Sequence, residues 1–169
     1  MAVIKEKVSL SNGYQMPKMA FGTYNLDKKN IETIILNALR VGFRHFETAP
    51  IYLNEDAIGK AIKNSDVDRD DIYITSKVPP HIKSYDATIR MAKKPMKKLG
   101  VDYLDALLIN NPVPWGKEGE DFTKENREVW RAMEDMYTEE IIGAIGVSNF
   151  DIDDMKALMS AARIKPHIK

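Results

Sequence analysis

His45-Phe46-Glu47, then Glu55-Asp56-Ala57-Ile58-Gly59-Lys60-Ala61-Ile62, then Ile72-Tyr73-Ile74-Thr75 are the segments whose succession decides the fold class. The first and last are short extended runs. The middle one places Ala57, Ile58, Ala61 and Ile62 on one face of a helix. Strand, helix and strand make a βαβ unit, which joins parallel strands by a crossover. The same grammar extends outward. Toward the N-terminus, residues 19–22 read as a short strand, and after Asp27 comes a helix with Ile31, Ile34, Ile35, Ala38 and Leu39 at the i, i+3, i+4, i+7, i+8 spacing. Before them, Ser11-Asn12-Gly13 separates residues 8–10 from 14–16. Asn-Gly between extended segments predicts a hairpin in which both central residues take positive φ.

Toward the C-terminus the rhythm continues with a helix over 85–99, in which Pro95 removes one backbone donor and predicts a kink. A strand over 103–109 follows, then a helix over 125–138 with Val129, Ala132, Met133, Met136 and Tyr137 on one face, then a strand over 141–147. A helix over 151–162 opens on acidic residues, which suit a helix N-terminus, and 164–168 opens a sixth strand. Alternation of this kind leaves two architectures, an open doubly wound sheet or a closed (β/α)8 barrel. Counting units favours the open sheet, since an eight-unit barrel takes about 250 residues. Against it, the turn Gly22-Thr23-Tyr24-Asn25-Leu26 lacks the glycine-rich dinucleotide fingerprint.

Composition narrows the function. Lys plus Arg number 25 and Asp plus Glu 25, so the formal net charge is zero, which speaks against a nucleic-acid partner bound through bulk charge. With 44 % hydrophobic and 30 % charged residues over 169 positions, one folded domain spanning 1–169 is expected. There is no cysteine, which excludes disulfides, thiolate nucleophiles and Cys-ligated metals. His45, His81 and His167 lie far apart, so no metal site is expected. Residues 1–8 lack the apolar core of a signal peptide, and no run approaches a membrane span of about 18 apolar residues. A cytoplasmic protein with no membrane partner is expected.

Polar residues recur where strands end: Glu47, Lys77, Asn110 with Asn111, and Ser148 with Asn149. In parallel α/β folds that edge is the functional one. Tyr52, in the loop after Glu47, adds a phenol that an ammonium and a carboxylate could poise as a proton donor. Trp130 reads as a packing residue. Trp115 follows Pro112-Val113-Pro114 in a polar loop at the same edge and is a candidate to line a substrate pocket, with Asn111 beside it.

Gly42-Phe43-Arg44-His45-Phe46-Glu47-Thr48-Ala49, with Tyr52 and Asn54-Glu55 after it, resembles a signature of the aldo-keto reductases. So do Ile74-Thr75-Ser76-Lys77, Leu99-Gly100-Val101-Asp102-Tyr103-Leu104-Asp105 and Ala144-Ile145-Gly146-Val147-Ser148-Asn149-Phe150. The resemblance implies an incomplete parallel (β/α)8 barrel of the TIM type: the hairpin, five βα units and the start of strand 6, about the first five-eighths of the family's barrel. It implies reduction of an aldehyde or ketone with hydride from NADPH, or alternatively NADH. By motif, Tyr52 would be the general acid, Lys77 the cation that lowers its pKa, and Glu47 the carboxylate where the family has aspartate. Asn110 stands where most members have a carbonyl-orienting histidine. Ser148 and Asn149 would hold the nicotinamide carboxamide, with Thr23 on the cofactor side and Tyr24 on the substrate side of the cleft.

The family's pyrophosphate and adenosine grips follow its later strands and have no counterpart before Lys169. That predicts weak or absent cofactor binding by this chain alone. It keeps open a second function class, a non-catalytic relative acting by weak nucleotide binding or protein association. An unclosed barrel is expected to expose Met19, Phe21 and Phe46 and to seek a second copy or a second chain along its open edges. Glu140 stands where the family commonly has a glycine after the fourth helix, which predicts a strained left-handed residue there.

Overall fold

The computed structural model of the chain describes residues 3–27 and 29–169. The chain enters through a hairpin, β1 (Lys7–Ser9) antiparallel to β2 (Gln15–Pro17), with Val8 opposite Met16. These strands lie one residue further from the turn than the sequence suggests, and the turn differs too. Leu10 N–H donates to the Tyr14 carbonyl and Gly13 N–H to the Leu10 carbonyl, both at 2.9 Å. Of Asn12 and Gly13, only Gly13 has positive φ, at 85°. A loop of Ser11, Asn12 and Gly13 closed by a left-handed glycine satisfies the strands' twist. It frees the Asn12 side chain to accept from Tyr14 N–H (3.1 Å) and to donate to the Gly143 carbonyl (3.0 Å).

Strands and helices then alternate: β3 (Phe21–Gly22), α1 (Ile31–Val41), β4 (His45–Glu47), α2 (Glu55–Lys63), β5 (Tyr73–Val78), α3 (Tyr85–Leu99), β6 (Leu104–Ile109), α4 (Thr123–Thr138), β7 (Ile142–Val147) and α5 (Ile152–Met159). The α3 helix runs through Pro95 as one element and buries it. Helix α5 is shorter than expected, but its start is well held: Asp151 accepts from Asp153 and Asp154 N–H at 2.8 Å, and Asp154 answers Asp151 N–H at 3.1 Å.

The five strands β3 to β7 pair in chain order, all parallel, and successive helices pack on one another. An open doubly wound sheet reverses its strand order at a switch point. This one never reverses, so it is the arc of an incomplete (β/α)8 barrel, and the open sheet that unit counting favours is excluded. The expected sixth strand is present as one parallel bridge, Ile168 to Gly146, with His167 N–H on the Ile145 carbonyl (2.9 Å) and Val147 N–H on the Ile168 carbonyl (3.0 Å). Buried Glu134 and Trp130 of α4 anchor it. Glu134 accepts from Ile164 N–H (2.8 Å) and Arg163 Nε (2.9 Å), while Trp130 Nε1 donates to the Ile164 carbonyl (3.0 Å).

Alternation along the strands sorts the side chains. His45 and Glu47 of β4 face inward, while Phe46 is fully buried in the core that β4 shares with the helices. Phe21 is half-buried and packs on Phe43 (5.3 Å between rings) and Phe46 (6.0 Å). The expectation that both line an exposed interior is therefore corrected; of that set, Met19 alone is exposed, at 38 %. The hairpin floors the barrel at the N-terminal ends of the strands. Tyr14 stacks edge-on against Tyr73, and a Cβ at Gly143 would lie 2.6 Å from its ring. His45 sits on this floor between the Pro17 carbonyl (3.2 Å) and Thr75 Oγ1 (2.8 Å), with burial lowering its pKa.

Three helices end alike, each with a bond of 3.0 Å reaching back five residues: Phe43 N–H to the Ala38 carbonyl, Val101 to Met96, and Ile141 to Met136. The residue before each donor is left-handed: Gly42, Gly100 and Glu140, the last at φ 60°. Glutamate pays a Cβ penalty there that glycine does not. Glu140→Gly is expected to stabilise the fold by about 1 kcal/mol and to raise the thermal midpoint by roughly 2–4 °C. An unchanged or lower midpoint on thermal unfolding would contradict this.

Candidate active site

Parallel pairing places Glu47 opposite Thr75 and Lys77 opposite Leu108, so the C-terminal ends of β4, β5 and β6 share one edge. On that edge three predicted residues meet. Lys77 Nζ lies 2.6 Å from Glu47 Oε1 and 3.1 Å from Tyr52 Oη, and Tyr52 Oη lies 3.2 Å from Glu47 Oε1. The glutamate stem, longer than the family's aspartate by one methylene, still reaches both partners. Tyr52 stands on a short 3-10 turn, Pro50–Tyr52, closed by Tyr52 N–H to the Ala49 carbonyl (2.9 Å) and followed by Leu53 at φ 55°.

Behind this turn runs a fully buried lock. Thr23 N–H and Oγ1 both donate to the Glu47 carbonyl at 3.0 Å, Asn54 Nδ2 donates to the Thr23 carbonyl at 2.7 Å, and Thr48 Oγ1 donates to Asn54 Oδ1 at 3.1 Å. The Thr23 hydroxyl, expected on the cofactor side, is 0 % exposed and serves here to fix the strand end that carries Glu47. Thr48 and Asn54, which belong to the stretch that carries the resemblance but have no role assigned there, complete this lock.

The electrostatics follow from this packing. Burial raises the Tyr52 phenol above its ordinary value; Lys77 pulls it down, Glu47 pushes it up, and the net direction is upward. The expected lowering by Lys77 is thus present but outweighed. Burial works against the Lys77 ammonium, yet Glu47 and Tyr52 overcome it and hold the lysine above its usual value. Tyr24, 71 % exposed, sets its ring against that of Tyr52 at 5.2 Å, with the two planes 62° apart.

A second group gathers at the ends of β6 and β7. Asn110 is buried, with its N–H on the Val78 carbonyl (3.1 Å) and its carbonyl accepting from Asn149 Nδ2 (2.7 Å). Asn149 is left-handed, at φ 61°, and also donates to Ser148 Oγ at 3.1 Å. Ser148 N–H is tied to the Ile109 carbonyl at 2.8 Å. That leaves the Ser148 O–H and the Asn149 side-chain carbonyl as a donor and an acceptor side by side, the set an amide group requires. Asn111 Oδ1 accepts from Val113 N–H (3.1 Å), and Trp115 stands 61 % exposed on the same loop. One contact was not foreseen. Lys83 and Asn126 clamp this loop from outside. Its trace in the sequence is a polar residue on an apolar stripe, since Asn126, Val129, Trp130 and Met133 share a helical face.

Among the described residues, no group of acidic or histidine side chains is arranged to hold a metal, and no helix is long and apolar enough to cross a membrane.

The chain is 37 % identical over 166 residues to the glyoxal reductase of Bacillus subtilis, covering 98 % of this chain and 57 % of that protein. It is 33 % identical over 163 residues to the methylglyoxal reductase DkgA of Escherichia coli, covering 95 % and 55 %. Among solved structures, an aldo/keto reductase from Brucella melitensis superposes with a TM-score of 0.87 at 32 % identity, over 97 % of this chain and 62 % of that one. A Bombyx mori aldo-keto reductase in complex with NADP gives 0.85 at 27 % identity, over 97 % and 58 %. The chain therefore spans somewhat more than half the length of the proteins it matches. The model of the aldo/keto reductase family matches residues 18–168, and the chain belongs to that family.

Proposed function

We propose that this chain reduces small aldehydes, using a nicotinamide hydride and Tyr52 as the proton donor. The observation that carries the reading is the Tyr52 hydroxyl, held within 3.1 Å of an ammonium and 3.2 Å of a carboxylate at the functional edge of the barrel. The relatives named for glyoxal and methylglyoxal reduction support the substrate class, and the neighbour solved with NADP supports the cofactor.

Bound NADPH would supply the hydride to the carbonyl carbon. Ser148 and Asn149 fit its carboxamide, since their free donor and acceptor match an amide's own pair. Thr23 contributes by holding Glu47 rather than by touching the nucleotide. At the substrate, Tyr52 Oη gives its proton to the carbonyl oxygen as negative charge develops there, so aldehyde plus hydride plus proton yields a primary alcohol. A tyrosine phenol is already protonated at neutral pH, and burial moves Tyr52 further in that direction, so the donor is loaded. Lys77 then stabilises the phenolate that remains, and Glu47 holds the ammonium in place. Asn110 offers an amide N–H to the same oxygen, and Tyr24, Asn111 and Trp115 flank the substrate. Asparagine cannot carry charge or relay a proton, so this carbonyl contact is weaker than a histidine's.

The test is NADPH-dependent reduction of benzaldehyde by the purified chain beside Tyr52→Phe. Loss of a general acid is expected to lower kcat by about 10²- to 10⁴-fold with the fold intact by circular dichroism. Because only the protonated phenol donates, kcat is also expected to fall as pH rises through the Tyr52 ionisation. Equal rates in the two proteins would contradict the reading.

A further inference from the structure

The loop after β6 carries Asn110, Asn111 and Trp115, yet it has few means of holding itself. Pro112 and Pro114 bring no N–H, so the loop's buried carbonyls must find donors elsewhere. Lys83, in the turn before α3, supplies them. Its Nζ donates to the Asn111 carbonyl at 3.2 Å, the Pro112 carbonyl at 2.8 Å and Asn126 Oδ1 at 2.6 Å. Asn126 of α4, 7 % exposed, completes the knot by donating its Nδ2 to the same Pro112 carbonyl at 3.0 Å.

We propose that Lys83 is a positioning residue of the substrate side. Its ammonium draws two loop carbonyls and the Asn126 amide onto one point, which fixes the course of residues 110–115 and so the placement of Asn110 and Trp115. The proposal rests on the reductase reading for what the loop then does, but not for the clamp itself. Lysine suits the task because a compact ammonium can point its three donors at three separate oxygens, whereas the planar guanidinium of arginine favours side-by-side acceptors.

The surroundings make the clamp dependent on charge. All three close partners are neutral oxygens. Burial disfavours the ammonium and brings it down to about 8, against Glu125 of α4 and Asp154 of α5, which favour it. The Phe122 ring lies 5.8 Å from Nζ and is shared with a second cation, Lys117, at 5.7 Å. Loss of the proton near pH 8 would take away one of the three donors and the charge that strengthens the other two.

The experiment follows the Trp115 indole and Asn110 side-chain amide signals by NMR in the full chain, wild type against Lys83→Met. Both signals are expected to be displaced in Lys83→Met at pH 7, and in the wild type to move toward the displaced positions as pH rises through about 8. With benzaldehyde, KM is expected to rise about tenfold, with NADPH affinity unchanged. Should Lys83→Met fail to fold, Lys83→Gln, which keeps a donor on a shorter stem, is read the same way. Signals that stay in place at pH 7 in the variant would overturn the proposal. Displaced signals together with turnover no higher than that of Tyr52→Phe in every form would support the clamp and remove the reductase reading instead.

Discussion

Parallel pairing in unbroken chain order is the constraint from which the rest of this structure follows. Because β3 to β7 never reverse, every strand delivers its last residue to the same edge. Glu47, Lys77, Asn110 and Ser148 need share no local motif to become neighbours. Within that frame, the 2.6 Å contact between Lys77 and Glu47 ties two adjacent strand ends and leaves the ammonium two further donors, one of which goes to Tyr52. Both side chains are about four-fifths enclosed, at 15 % and 22 % exposure, so the pair is screened less than a surface ion pair.

Backbone strain marks the same edge. The left-handed non-glycine residues among those described are Asn25, Leu53, Glu140 and Asn149. Three of them directly follow a residue of the candidate site: Asn25 after Tyr24, Leu53 after Tyr52, and Asn149 after Ser148. Each costs of order 1–3 kcal/mol and persists only where the surroundings over-determine it. At Leu53 the surroundings are the buried Thr23–Asn54–Thr48 lock, and at Asn149 they are the bonds to Asn110 and Ser148. Glu140 lies at the opposite end of the fold, after α4, and nothing in the site explains it.

What was legible in the sequence was whatever depends on period and type. The βαβ rhythm placed the five main strands and their helices to within a few residues, and strand-end polar residues marked the edge where Tyr52, Lys77 and Glu47 meet. The choice between sheet and barrel was not legible from unit counting, because strand order is a long-range property. The burial of Phe21 and Phe46 is not legible for a related reason. On a strand of two or three residues the pattern is too short to say which side faces the helices. Asn-Gly marks the turn, but the size of its loop goes with the docking of Asn12 onto Gly143, far along the chain. Thr23 sits where the motif puts it, yet its hydroxyl turns into the core, and Lys83 gave no local sign of the loop it holds.

The central claim is that Tyr52, Lys77 and Glu47 act as one coupled proton-donating unit. It is tested most directly by titrating the Tyr52 phenol with carbon-13 NMR in the wild type, Lys77→Met and Glu47→Gln. The coupling predicts a higher phenol pKa once the lysine's downward pull is gone, and a lower one once the carboxylate's upward push is gone. One and the same value in all three proteins would mean that the contacts carry no electrostatic coupling, and the account of the site would be wrong.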